Sequence, residues 1–266
     1  MILLLALLAA AGAGQQELAA GPGSATWAAH RPVRFSVRSY AADIEVLASP
    51  TDSVNVTGPG QVRLLAAGGD RVEVEFGGKR QLHDGKIRVA LPRGSALDAG
   101  AVSGKVSVEG VGGEARVRGM SGPVRVQGAS EVDVETVDGA VEIAGATGAT
   151  RIHTVSGGTT VSSSQAAAKF ELETASGPLD YRGPCGAGCH IDVDSVSGDV
   201  RFTLEPGSSL TARVVSTSGK VRDEAGLSLR RKPGASEGDF SEGALGTGDG
   251  LLECETFSGS VTFRRR

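Results

Sequence analysis

The sequence predicts an all-β protein: a single-domain β-solenoid, β-helix-like, of stacked two-strand coils with roughly 17–21 residues per repeat. Three observations carry that expectation. A short Ser-Gly or Asp-Gly motif recurs in phase, apolar residues alternate at period two on both sides of it, and the composition suits thin layers rather than a compact globule. Of the 266 residues, 40 are Gly and only 4% are aromatic. A core so poor in rings has to be assembled from many small β-branched side chains, because each Val buries far less area than a Phe. The formal net charge of -4 is mild and gives no general attraction to nucleic acid.

The motif reads VSGKVSV from Val102, MSGPVRV from Met120, VDGAVEI from Val137 and VSGGTTV from Val155. It continues as ASGPLDY from Ala175, VSGDVRF from Val196, TSGKVRD from Thr217 and FSGSVTF from Phe257. Its Ser or Asp steps by 18, 17, 18, 20, 21 and 21 residues, then by 40 across a Gly-rich stretch at 226–250 read as a loop. Each copy has one strand before the motif, as in Ala115-Arg116-Val117-Arg118, and one after it, as in Val124-Arg125-Val126. Alternation at period two buries one face and wets the other. Two strands this short cannot bury an apolar face alone, whereas coils stacked about 4.8 Å apart can.

Aligning the copies tests the stacking column by column. Four residues before the Ser or Asp stand Ala99, Val117, Val134, Ile152, Leu172, Val193, Val214 and Cys254, an apolar column that has to face inward. Cys254 is therefore expected as a buried small hydrophobe. One residue earlier the column runs Asp98, Arg116, Asp133, Arg151, Glu171, Asp192, Arg213 and Glu253. Its charges mostly alternate, which favours coils stacked in sequence order, because a slipped coil would set like charges together.

The V-S-G-x-V-x-V unit, with the lead-in Pro92-Arg93-Gly94-Ser95-Ala96-Leu97 and the closing GTGDGLLECETFSGSVTF, resembles the bacterial putative adhesin family of unknown function. The resemblance covers roughly Val33–Arg266 and implies a β-helix-like fold in a cell-envelope setting. It brings no catalytic residues. Residues 33–90 depart from the pattern, with Tyr40-Ala41-Ala42-Asp43 in place of Ser-Gly, and are read as degenerate first coils and a cap that closes the solenoid end.

At the other boundary, residues 1–14 carry an apolar run from Ile2 to Ala11 followed by small residues, the pattern of a signal peptide. The solenoid domain is then expected at 33–266, with 15–32 a flexible lead-in and an exported location in the periplasm or at the cell surface. No later segment is apolar enough to span a membrane. Cys185 and Cys189 in PCGAGCH suit a tight-loop disulfide of an oxidising compartment. With His190 they would make only three zinc ligands, one short of a structural site.

No catalytic residue, cofactor site or secure metal site emerges. There is no G-x-S-x-G elbow, the four His residues are scattered, and Gly246-Thr247-Gly248-Asp249-Gly250 lacks the strand and helix of a phosphate cradle. One constellation stands apart: Glu171 meets Asp192, and Glu173 meets Asp194, where charge alternation fails. Four carboxylates on one face suit Ca²⁺ or, in the plainer reading, form a solvated acidic patch flanked by Arg151 and Arg213. The expected function is non-enzymatic: an adhesin-like envelope protein whose β-sheet faces bind a surface, glycan or protein. The alternatives are a periplasmic scaffold or envelope-stress accessory, and a polysaccharide-active β-helix enzyme, against which stands the scarcity of aromatic rings for sugar stacking.

Overall fold

The computed structural model describes residues 15–77, 85–163, 169–231 and 239–266, so the leader expected at 1–14 lies outside the described residues. The chain is a β-solenoid. Each coil has a long arm and a short arm joined at the Ser-Gly or Asp-Gly corner, and each arm pairs in parallel with the same arm of the coils on either side. The level of Val132–Asp138 and Val141–Ala144, for example, lies between Gly112–Gly119 with Val124–Gln127 and Thr150–Ser156 with Thr159–Ser162. Beyond these come Lys169–Ser176 with Leu179–Gly183, then His190–Ser197 with Val200–Leu204.

Both ends break sequence order. After His190–Ser197 and Val200–Leu204 the next level in space is the last in sequence, Gly250–Ser258 with Val261–Arg265. Leu210–Ser216 with Val221–Glu224 follows only outside it. The chain therefore skips one slot, builds the end coil, and returns to fill the gap. The same happens at the opposite end, where Arg34–Ser39 and Asp43–Ser49 lie between Arg71–Gly77 with Lys86–Pro92 and Ser95–Ala101 with Val106–Glu109. The expectation of coils stacked in sequence order is corrected here: Asp192 neighbours Glu253, and Arg213 sits one level further out.

Two stretches expected without regular structure form strands. Gln16–Ala28, within the 15–32 segment read as a flexible lead-in, runs antiparallel along Ser53–Ala66, which itself crosses both arms of the end level. Within the 226–250 stretch read as a loop, Asp239–Leu245 pairs antiparallel with Leu210–Ser216 and with Arg230–Arg231. In each case a strand lies across an end coil whose backbone N–H and C=O groups would otherwise be unpaired, and that need outweighs a Gly-rich local composition.

The corner explains why the motif keeps glycine. A Cβ on Gly122, Gly139, Gly157, Gly177 or Gly198 would collide with the corner carbonyl one level away, that of Gly104, Gly122, Gly139, Gly157 or Gly177 respectively. Gly259 meets Gly198 in the same way and Gly219 meets Gly259, which traces the skipped slot independently of the strand pairing. Several of these corners also take positive φ, 123° at Gly177 and 140° at Gly198, where L side chains are strained.

Inward columns of both arms form one core, with Val117, Val134, Ile152, Leu172, Val193, Cys254 and Val214 all at 1% exposure or less. On the short arm the column ends in rings: Tyr181 lies 6.2 Å from Phe202, and Phe202 stacks on Phe263 at 5.2 Å and 16°. The Tyr181 phenol is fully buried and its Oη has no hydrogen-bond partner among the described residues, and burial, with a smaller push from Glu205, raises its pKa to about 12.

Two outcomes test this arrangement. Cysteines at Asp192 and Glu253 are expected to be joined readily by a short thiol cross-linker and cysteines at Asp192 and Arg213 are not; the reverse would restore sequence order. Tyr181→Phe removes an unsatisfied buried hydroxyl and keeps the ring, so chemical denaturation is expected to show a gain of about 1 kcal/mol. A loss of that size would mean the hydroxyl has a partner.

Candidate binding groove

Parity decides which side chains the long arm shows to solvent. The residue four before the motif's Ser or Asp faces inward, so those five, three and one before it face out. The first outward column runs Asp133, Arg151, Glu171, Asp192, Glu253 and Arg213 across successive levels. The second runs Arg118, Glu135, His153, Glu173, Asp194 and Glu255. The third is apolar: Met120, Val137, Val155, Ala175, Val196 and Phe257 are all exposed, Phe257 at 62% and Val196 at 57%. Tyr40, also exposed, extends that stripe towards the N-terminal end.

The second and third columns line a groove of about 1230 Å³ that runs across the levels from Arg118 to Val215. Its floor is a row of small hydroxyl residues whose side chains turn inward. Thr154 Oγ1 donates to the Ser156 carbonyl at 3.1 Å, and Thr174 Oγ1 donates to the Ser176 carbonyl at 3.1 Å. Thr256 Oγ1 does the same to the Ser258 carbonyl at 3.3 Å, and at these three levels the bond ties the end of the arm to its corner and holds the apolar side chain between them outward.

Ion pairing is uneven along this face. At the N-terminal side, Arg116 holds Asp133 at 3.0 Å and Arg118 holds Glu135 at 3.1 Å. Further on, His153 Nδ1 lies 3.0 Å from Glu173, while Lys169 at 2.9 Å and Arg151 at 3.6 Å hold Glu171. The Lys169 hydrogen bond keeps the Glu171 carboxyl below its usual range. Arg213 reaches Glu253 at 3.2 Å. Among the described residues Asp192, Asp194 and Glu255 have no ion pair, although they are neighbours across one strand pairing. Asp194 is pushed above the usual carboxylate range, first by partial burial and then by Asp192, Glu255, Glu173 and Glu171.

The four carboxylates singled out in the sequence thus stand together: Glu171 beside Asp192 and Glu173 beside Asp194. Insertion of the last coil adds Glu253 and Glu255, in place of the Arg213 expected to flank Asp192. The six form two rows along a sheet face, and among the described residues no group of three or more His, Cys, Asp or Glu is placed to hold a metal ion. Cys185 and Cys189 are joined by a disulfide with sulfurs 2.09 Å apart, both buried. Cys254 is buried and free, its thiol pKa pushed up by burial.

The apolar third column was missed by sequence reasoning, although its signal was present. Each motif begins with Val, Met, Ala, Thr or Phe at a parity that belongs to solvent, whereas the other two outward columns of the long arm are mostly charged.

The profile of the Toastrack DUF4097 family matches residues 81–220. No curated protein matches the chain. Among solved structures, a putative cell adhesion protein from Clostridium sporogenes is similar at 7% identity and a TM-score of 0.27, over 92% of this chain and 100% of that one.

The position of Asp194 gives a pH test. Because its folded carboxyl holds the proton more tightly than the unfolded chain does, ionisation opposes folding as pH rises through the folded value. Asp194→Asn is expected to melt higher than the parent at pH 7, by a few tenths of a kcal/mol after solvent screening. The difference should fade as pH falls towards the ordinary Asp value of 3.8. A variant that melts lower at pH 7 would contradict the crowding of charge described here.

Proposed function

The chain belongs to the Toastrack DUF4097 family, and from that premise we propose that it is an exported, non-enzymatic, adhesin-like protein of the cell envelope that binds a partner along the groove of its long-arm face. The observation that carries the reading is the exposed apolar column from Met120 to Phe257. Solvated sheet faces normally alternate to polar residues, and a continuous apolar patch on such a face marks an interaction surface. Backbone pairing holds the column at a fixed repeat, so the surface is rigid and loses little conformational entropy on binding.

The non-catalytic part of the proposal draws support from what surrounds the groove. The Thr154 and Thr174 hydroxyls turn inward onto backbone carbonyls, His153 lies beside a carboxylate rather than a nucleophile, and the stripe from Met120 to Phe257 is built of Met, Val, Ala and Phe side chains, which do not titrate. Export draws support from the apolar leader pattern in the sequence and from the Cys185–Cys189 disulfide, a bond that persists in oxidising compartments.

Fractionation of native cells with protease shaving of intact cells tests the location. Protein cleaved at the surface fits adhesion to an external partner, and protein protected inside the envelope would overturn the adhesive half. A photo-reactive residue at Val196, compared with one at Arg201 on the short arm, tests the face. Adducts are expected from Val196; adducts from Arg201 alone would place the working surface on the other arm.

A further inference from the structure

We infer that the groove takes a basic amphipathic helix of about 16 residues, laid along the solenoid axis with its apolar stripe on the third column and its Lys and Arg against Glu173, Asp194 and Glu255. The inference rests on the reading of this face as the binding surface and names the class of its occupant.

Three features of the face select that occupant. The first is charge. One flank of the apolar stripe is the second column, where Asp194 and Glu255 have no counter-ion among the described residues, and behind them stands unpaired Asp192. The other flank, at the levels of Glu173, Asp194 and Glu255, is the row of uncharged corners Ser176-Gly177, Ser197-Gly198 and Ser258-Gly259; Asp138 stands in this row only nearer the N-terminal end. A partner that covers the stripe therefore has its cations on one side only, and an anionic lipid surface is repelled.

The second feature is the backbone. The central long arms pair with a neighbouring level on both sides, so the face offers no free ladder to an incoming strand. A polypeptide lying there has to satisfy its own backbone, and a helix does so internally. The third is dimension. From Met120 to Phe257 the stripe crosses five level spacings, about 24 Å at about 4.8 Å each, which is the length of about 16 helical residues. One helical turn rises about 5.4 Å against about 4.8 Å per level, so the helix brings between four and five turns across the six apolar side chains.

The test uses the full chain and three fluorescent 16-residue peptides. One is a Leu/Lys amphipathic helix with its Lys on one flank, one carries Glu for Lys, and one scrambles the Leu/Lys order. Anisotropy is expected to show the first binding at least about tenfold more tightly than either other peptide, with a gain in its helical circular dichroism. Val155→Ser, Val196→Ser and Phe257→Ser together are expected to weaken it by about tenfold or more with the melting temperature unchanged. Asp194→Asn with Glu255→Gln should weaken it mainly at low salt and flatten its salt dependence.

Equal binding of the scrambled peptide, or binding that ignores the apolar substitutions, would reduce the effect to bulk charge attraction and overturn the inference. So would saturable binding of a neutral glycan at the groove without binding of the Leu/Lys helix. The two readings fail separately. If a photo-adduct forms at Val196 and excess Leu/Lys peptide does not displace it, the helix falls and the binding face stands. If no adduct forms at Val196 while Arg201 gives one, the face itself falls.

Discussion

Everything in this solenoid depends on the contact between stacked corners. At each level that carries the Ser-Gly or Asp-Gly motif, from Gly104 to Gly259, the chain turns through a Gly whose Cα faces the carbonyl of the corner beside it, with no room for a Cβ. That contact sets the level spacing at the turn, and the parallel pairing of both arms follows from it. Once the corners are stacked, the parity of each arm is fixed outward from the corner. The same constraint therefore produces the inward Val columns, the outward charged columns and the apolar column that lines the groove.

The interior and exterior columns contribute on different scales. Burying a Val side chain is worth roughly 1.5–3 kcal/mol, whereas an exposed ion pair is worth about 0–1 kcal/mol. The core thus dominates stability, and surface charges can only bias which level lies next to which. At the C-terminal end they are overruled. Sequence order would have set Asp192 beside Arg213, yet the structure sets Asp192 beside Glu253 and Asp194 beside Glu255.

The reason lies on the short arm. Two residues beyond its first inward position the column reads Val126, Ile143, Val161, Tyr181, Phe202, Asp223 and Phe263 in sequence order. Stacked in that order, Asp223 would lie between two Phe rings, and burying an unpaired carboxylate costs several kcal/mol. In the observed order Phe263 stacks on Phe202, and Asp223 falls on the end level beside solvent. There its carboxylate accepts backbone hydrogen bonds from Ala225, Gly226 and Leu227 at 3.1, 2.9 and 3.1 Å. Burial alone would raise its pKa, and these N–H donors more than offset that, led by Leu227. The β-solenoid and the pairing of Glu171 with Asp192 and Glu173 with Asp194 were legible in the repeat, because periodicity reports local stacking. The skipped slot was not read, because the even steps from Ser103 to Ser218 suggested sequence order and one Asp in an apolar column carried the contrary signal. The strands at 16–28 and 239–245 were obscured for a related reason: they answer the unpaired edges of end coils, a need that is set by the fold and not by their own composition.

The same substitution of levels shapes the groove. Inserting the last coil brings Glu253 and Glu255 alongside Asp192 and Asp194 and adds Phe257, the most exposed large apolar side chain of the stripe. In sequence order that slot would have held Arg213, Val215 and Thr217, which leaves the stripe with Thr in place of Phe and gives Asp192 a counter-ion. The like-charge crowding is thus tolerable because burial of the core outweighs it, and its location is not arbitrary. It falls where the apolar stripe carries its largest ring, so the unbalanced charge and the exposed hydrophobe are presented together to whatever covers this face.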